Sequence, residues 1–297
     1  MGLINIGAEL LFHENKYKKI SGNFLSIGKQ LNTISYNHLV PILEKYEMDK
    51  KKFYQAYKKE KDSTTRHTLG NIYDHTFYSC FADIKYRCAD ISSYEGADLI
   101  HDFSKPIPKI FYNKFDTIIN FSSMDNMFDP VTFLRSTSQM LKNSGRIMHL
   151  EVAGHYPGAY LMYTPEYFFS YYANNNFKDC KVYLLVTKGC YNKNRFLNKF
   201  DIFLYSPYFT RSKSYDYSKA CRTIPETMYV MIVAEKQKTS TSNKIPMQMQ
   251  FLPKKHFDWR SKYKLFCKNK RPIMKFSKKQ PYVLPYNSNH YKYIGSY

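Results

Sequence analysis

CADISSYEGADLIHDFSKPIP (88–108), FDTIINFSSMDNMFDP (115–130) and MLKNSGRIMHLEV (140–152) decide the fold of this chain. Residues 86–91 form an apolar run that closes on an acid, Asp90. Twelve residues later Asp102 closes a second, shorter run over 99–101. The sequence TIINF (117–121) is mainly β-branched and apolar, as a strand buried on both faces tends to be. Residues 131–141 place Phe133, Leu134, Met140 and Leu141 on one helical face. Asn143-Ser144-Gly145 then reads as a C-cap before a further strand over 146–152.

Working outward, Asn23-Phe24-Leu25-Ser26-Ile27-Gly28 reads as a buried strand ending at a glycine. Leu39, Ile42, Leu43 and Tyr46 recur at helical spacing, with Pro41 expected near the helix start, where a missing N–H costs little. Residues 48–66 are highly charged and read as a solvated helix or surface insertion. A helix over 165–174 and strands over 181–186 and 228–234 follow. Strands alternating with helices predict a mainly parallel α/β sheet with helices on both faces. Ligands bind such sheets at the strand carboxyl ends, near the topological switch point. Gly28, Asp90, Asp102 and Asn120 all fall there.

Composition narrows the partners. The chain has 297 residues and a formal net charge of +21. Residues 236–297 hold 15 Lys plus Arg and one acid, Asp258, so they carry +14 and leave +7 for 1–235. That density suits a polyanion, whether nucleic acid, acidic glycan or an anionic surface such as a membrane, and equally a solvated tail. The 29 Tyr and 22 Phe accompany frequent Lys, Asn and Ile, a bias that AT-rich coding produces, so they do not argue for base stacking. Six scattered cysteines form no metal-ligand spacing and no C-x-x-C pair, which predicts reduced thiols, no metal and a cytoplasmic location. No run approaches the roughly 18 apolar residues of a membrane span.

Asp90 has two readings: a carboxylate accepting both ribose hydroxyls of a nucleoside, or the N-cap of a helix starting at Ile91-Ser92-Ser93. Asp102 either accepts from an adenine amino group or caps a turn before Ser104-Lys105-Pro106. Over roughly residues 20–235 the order and spacing of these segments resemble class I S-adenosylmethionine-dependent methyltransferases. DISSYEGADLIHDF (90–103) carries most of the likeness. FDTIINFSSMDNMFD, LKNSGRIMHLE and HYPGAYLMYTPEYFFSYYANNNF (155–177) resemble the family's fourth motif, its fifth strand and its substrate-side stretch.

The resemblance implies a Rossmann-like, doubly wound, mainly parallel sheet with an antiparallel last strand. It places the methyltransferase-like domain at 1–235 and a basic, largely irregular C-terminal extension at 236–297. It implies S-adenosylmethionine as cofactor, held by Gly28, Asp90, Ile91, Asp102, Phe103, Asn120 and Ser122. Lys29 is a further candidate, for the cofactor carboxylate. His155, just past the fifth strand, is the first candidate base and Asp125 the second. The alternative for His155 is a loop histidine in a Gly-His-Tyr-Pro turn. Tyr156, Tyr160 and Tyr163 either line an acceptor pocket or pack the next helix.

Three departures from the family pattern stand out. Ser26-Ile27-Gly28-Lys29-Gln30-Leu31-Asn32 lacks the acid and two of the glycines of the family's first motif. The gap from Gly28 to Asp90 is 62 residues (90 − 28), and Asp125-Asn126 replaces a Glu-His pair. The leading expectation is a methyltransferase acting on a hydroxyl or amine of a glycan or small molecule. The alternatives are a non-catalytic binding or scaffold protein of the same fold, and a nucleic-acid methyltransferase that uses the basic tail. Against the last, Asn120-Phe121-Ser122-Ser123 does not match the N/D-P-P-Y/F motif of base methylation.

Overall fold

The computed structural model describes residues 2–30, 32–59, 71–81, 83–154, 156, 158–188, 199–207, 227–248, 259–277 and 291–297. Its strands are β1 (Gly22–Ile27), β2 (Ile84–Asp90), β3 (Leu99–Ile100), β4 (Phe115–Phe121), β5 (Leu141–Gly154), β6 (Asp179–Lys188), β7 (Lys199–Tyr205), β8 (Met228–Glu235) and β9 (Tyr291–Ser296). Among the described residues they form one sheet in the order β3-β2-β1-β4-β5-β8-β6-β7-β9. The run from β3 to β5 is parallel, while β8 lies antiparallel between β5 and β6. β7 and β9 extend the far side in antiparallel fashion. The architecture is Rossmann-like: β1 leads outward through β2 to β3, and the chain then returns to β4 beside β1. The winding reverses between β1 and β4, so the switch point falls at Gly28 and Asn120.

Consecutive strand residues face opposite layers, as a doubly covered sheet requires. Phe24, Ile119 and Met148 pack with α1 (Asn5–Tyr17), α2 (Tyr36–Lys45), α3 (Lys51–Lys58) and α4 (Asp74–Tyr78). Leu25, Ile118 and Ile147 face α5 (Pro130–Met140), α6 (Pro165–Asn174) and α7 (Trp259–Lys268). Pro130 opens α5, and Asp129 caps it by accepting the Thr132 N–H at 2.9 Å. α2 begins at Tyr36, so Pro41 sits inside it rather than at its start. α5 ends at Met140, and Asn143-Ser144-Gly145 falls within β5, with Ser144 at φ 62°, instead of capping the helix. α3 is amphipathic and buries Phe53 completely, which ties the charged 51–58 stretch to the core.

The described part of residues 236–297 packs onto the sheet. β9 completes the sheet edge, Phe266 is buried in one layer and Met274 in the other. The segment therefore crosses the amino-terminal edge of the sheet, and Arg271 sits at the crossing, fully buried. Its Nε donates to Asp179 Oδ2 at 2.7 Å, its Nη2 to Glu235 Oε2 at 2.6 Å, and its Nη1 pairs with Glu14. Glu14 also accepts from buried Arg146 at 3.1 Å, and the Arg271 guanidinium lies over the Tyr17 ring. One of two arginines in a lysine-rich stretch gives no such signal in sequence.

Candidate functional site

Asp90 is the last residue of β2, at the carboxyl edge beside the switch point. Its Oδ2 accepts the Lys29 N–H at 3.0 Å and its Oδ1 the Ile91 N–H at 2.7 Å. Each carboxylate oxygen keeps capacity for a further donor. No helix starts after it: residues 91–96 are bends and turns, which removes the N-cap reading. Ile91 is 69% exposed, leaving an apolar surface beside the carboxylate.

Asp102 and Phe103 do not join it. Asp102 Oδ1 accepts both the Ser104 N–H (3.0 Å) and the Ser104 hydroxyl (2.5 Å), and Oδ2 faces Lys105 at 3.4 Å. The Ser104 bonds lower its pKa, and the residue is the turn cap of its alternative reading. The Phe103 ring is core, 5.6 Å from Phe133 between ring centroids.

Lys29 is committed elsewhere as well. Its ammonium pairs with Asp74 Oδ2 at 2.8 Å, and the Tyr86 hydroxyl donates to the same oxygen at 2.9 Å. Asp74 thus anchors the loop whose N–H holds Asp90. Burial opposes its ionisation, but hydrogen bonding with His75 and the Lys29 charge outweigh it and hold the carboxyl at about 2. A lowered carboxyl pKa stabilises the fold above the unfolded value, and the gain is lost as pH falls through the folded one. Asp74→Asn is expected to cost about 2 kcal/mol at pH 7. In urea titrations the gap should close between about pH 4 and pH 2; a pH-independent gap would reject the ion pair as its source.

Gly28 takes φ 76°, the left-handed region, and donates its N–H to Ala89 O at 2.8 Å. A methyl group at Gly28 would collide with Ser123 Oγ. That hydroxyl donates to Ile27 O at 2.9 Å, and the Gln30 amide donates to Ile27 O and Gly28 O at 3.0 and 3.1 Å. Side chains of this chain therefore fill the cradle that a glycine-rich loop leaves open.

Asn120 and Ser122, expected as a lip beside the cofactor, belong to a closed polar network. Asn120 Nδ2 donates to Glu151 Oε1 (2.6 Å) and to His149 Nδ1 (3.0 Å), and its Oδ1 accepts the Ser123 N–H. His149 Nε2 meets the Tyr172 hydroxyl at 2.5 Å, and burial lowers its pKa to about 3, so the ring is neutral. Ser122, at φ 66°, donates to Asp125 Oδ2 at 2.7 Å, and Asn126 donates to Asp125 Oδ1 at 2.8 Å. Glu151 accepts the Met124 and Asp125 N–H groups at 3.3 and 3.2 Å.

Burial raises the Asp125 pKa and raises that of Glu151 far more. Asp125 is 1% exposed with both oxygens engaged, so in this state it reaches no acceptor as a base. His155 lies outside the described residues. Glu151, His149 and Tyr172 escaped the sequence reading because each sits in an apolar run.

Above this network the Tyr160 and Leu161 N–H groups donate to Asp125 O. Tyr160 is 67% exposed against Phe128, itself 83% exposed, with ring centroids 4.8 Å apart. Tyr163 is buried, donating to Met124 O at 2.9 Å, and Tyr156 packs near Tyr229. Of the three tyrosines, Tyr160 alone borders open surface.

The residues present fit the nucleoside end of an adenosyl cofactor, while Ser123 and Gln30 crowd the Gly28 turn on the side of its amino-acid end. No family model matches the chain, and no curated protein does. Among solved structures it is similar to phosphoethanolamine N-methyltransferase 2 of Haemonchus contortus in complex with S-adenosyl-L-methionine, at 10% identity and TM-score 0.39, over 77% of this chain and 52% of that one. A SAM-dependent methyltransferase from Archaeoglobus fulgidus matches at 12% identity and TM-score 0.36, over 77% and 94%. A candidate zinc-dependent alcohol dehydrogenase from Rhodobacter sphaeroides matches at 12% and 0.26, over 48% and 46%. The chain spans about half the length of the first and third. Scores this low carry no argument about activity, and the strand order above stands without them.

Proposed function

We propose that the chain binds S-adenosylmethionine by its adenosine end, on Asp90 and Ile91, and that it is a methyltransferase acting on a hydroxyl or amine of a glycan or small molecule. The observation that carries this reading is the Asp90 carboxylate, fixed by two backbone N–H groups at the end of β2 beside the switch point. When bound, the cofactor supplies a methyl group on a sulfonium, a good leaving group, so alignment does much of the work. The chain's part is to accept the ribose hydroxyls at Asp90, offer Ile91 to the base, and border the acceptor with Phe128 and Tyr160.

A second reading, a binding module without catalysis, is favoured by Ser123 and Gln30 over Gly28 and by the burial of Asp125. A nucleic-acid acceptor loses support, because the described part of the basic segment runs across the opposite edge of the sheet.

Calorimetry with S-adenosylhomocysteine and with 5′-methylthioadenosine, which lacks the amino-acid end, tests the assignment. Both ligands are expected to bind wild type within a few-fold of each other. Ser123→Gly with Gln30→Gly should then favour the homocysteine ligand at least tenfold. Asp90→Ala should weaken both about tenfold or more, the worth of hydrogen bonds to a charged acceptor. No heat from either ligand at millimolar concentration would sink the proposal. Transfer of labelled methyl to small hydroxyl or amine acceptors separates enzyme from binding module.

A further inference from the structure

The charge of residues 236–297 is sorted by burial. Beside this segment the acids Glu14, Asp179 and Glu235 are buried and each is paired with Arg271, while the more exposed Asp83 and Asp116 farther along the amino-terminal edge pair with Lys19 and Lys142. The charge that residues 236–248 and 260–277 turn to water is cationic. On α7, Lys264, Leu265 and Lys268 share one exposed stripe, while Phe266 and Tyr263 pack inward on Phe169. The stripe continues past the helix through exposed Lys270, Ile273 and Lys275 on either side of buried Arg271. None of these four lysines pairs with a carboxylate among the described residues.

Leu265 is 49% exposed and Ile273 39%, and nearby Lys244 is followed by Ile245 and Met247 at 59% and 61%. Lys244 accepts from Asn175 while Lys262 donates to Asn176, so this strap and α7 flank one corner. Among the described residues of the segment, the exposed large apolar side chains are Ile245, Met247, Leu265 and Ile273, none of them aromatic, with lysines beside them.

We infer that this edge is a docking surface for an anionic lipid bilayer. Lysines attract the surface potential at about 1 kcal/mol each, and aliphatic side chains among them gain by entering the headgroup boundary. Single-stranded nucleic acid asks for aromatic platforms, and duplex affinity rests chiefly on phosphate contacts, which the exposed aliphatics do not make. The edge is opposite Asp90, so docking leaves the nucleoside site open to solution. The inference is independent of what Asp90 binds.

The test is sedimentation of the full chain with vesicles of phosphatidylcholine alone or with about one-third phosphatidylserine, an anionic composition of the kind polybasic surfaces recognise. The expected result is at least tenfold tighter binding to the anionic vesicles, released by high salt. K264E/K268E/K270E should abolish it, and L265S/I273S should weaken it several-fold, both with wild-type melting curves. No anionic-vesicle binding, or an L265S/I273S variant that binds like wild type, would overturn the proposal. So would duplex RNA that binds more tightly than the vesicles and is not displaced by them.

Discussion

Arg271→Ala is expected to cost about 3–5 kcal/mol, enough to unfold much of the protein at 37 °C. The guanidinium addresses three carboxylates through three different nitrogens, and all four groups are buried. Removing it strands Asp179 with Lys181 alone at 3.5 Å, and Glu14 with Arg146 alone at 3.1 Å. Glu235 fares better, because half-exposed Lys18 and Lys178 reach its other oxygen at 3.2 and 3.0 Å. Burial opposes the charge on Arg271, yet Glu14 first and then Asp179 raise its pKa. Arg271→Lys keeps one charge but not the three-way fork, so it should fall between wild type and alanine.

Denaturant titration reads the loss, and proteolysis within 236–297 reads its location, because this residue holds the crossing segment down. Stranded carboxylates are eased by protonation, so the alanine variant's deficit should shrink below about pH 5. A deficit under 1 kcal/mol, or one unchanged with pH, would show that the segment is held by Phe266 and Met274 instead.

The central sheet was legible because buried strands announce themselves: TIINF, residues 146–152 and residues 228–234 all lie within observed strands. The position of Asp90 at the end of β2 was legible for the same reason. α1 went unread because its buried face mixes Ile6, Leu10 and Phe12 with Glu9 and Glu14, whose partners lie 36 residues or more away. β7 and β9 pair with each other across 90 residues or so, a relation no local pattern carries. At the site, four of the expected contacts share one feature. Asp102, Asn120, Ser122 and Lys29 occupy positions where a ligand contact was expected, but each had a nearer polar group to satisfy. A polar residue at a strand end goes to whichever partner the loops supply, and sequence spacing does not reveal those loops.

Glu151→Leu should release the loop that closes the candidate site, at a cost of about 3 kcal/mol or more. The leucine would fill much of the volume but leave the Asn120 amide and the Met124 and Asp125 N–H groups without their acceptor. Each buried donor left unpaired costs about 1–3 kcal/mol. Glu151→Gln keeps a carbonyl for one side of the set and should cost less.

The two variants also differ in pH dependence. Burial first, and the Asp125 charge second, raise the Glu151 pKa well above its ordinary 4.5. The folded protein therefore holds a proton there that the unfolded chain gives up. Stability from this group is greatest near pH 4.5 and below, and declines as pH rises toward the folded value. Glutamine should flatten that decline, so the stability of Glu151→Gln relative to wild type should rise with pH. The same loop carries Ser123 onto Ile27 O above Gly28. Loosening it should admit the amino-acid end, so Glu151→Gln and Glu151→Leu should progressively favour S-adenosylhomocysteine over 5′-methylthioadenosine. An unchanged preference in a folded Glu151→Leu variant would mean that Ser123 holds the cradle shut by itself.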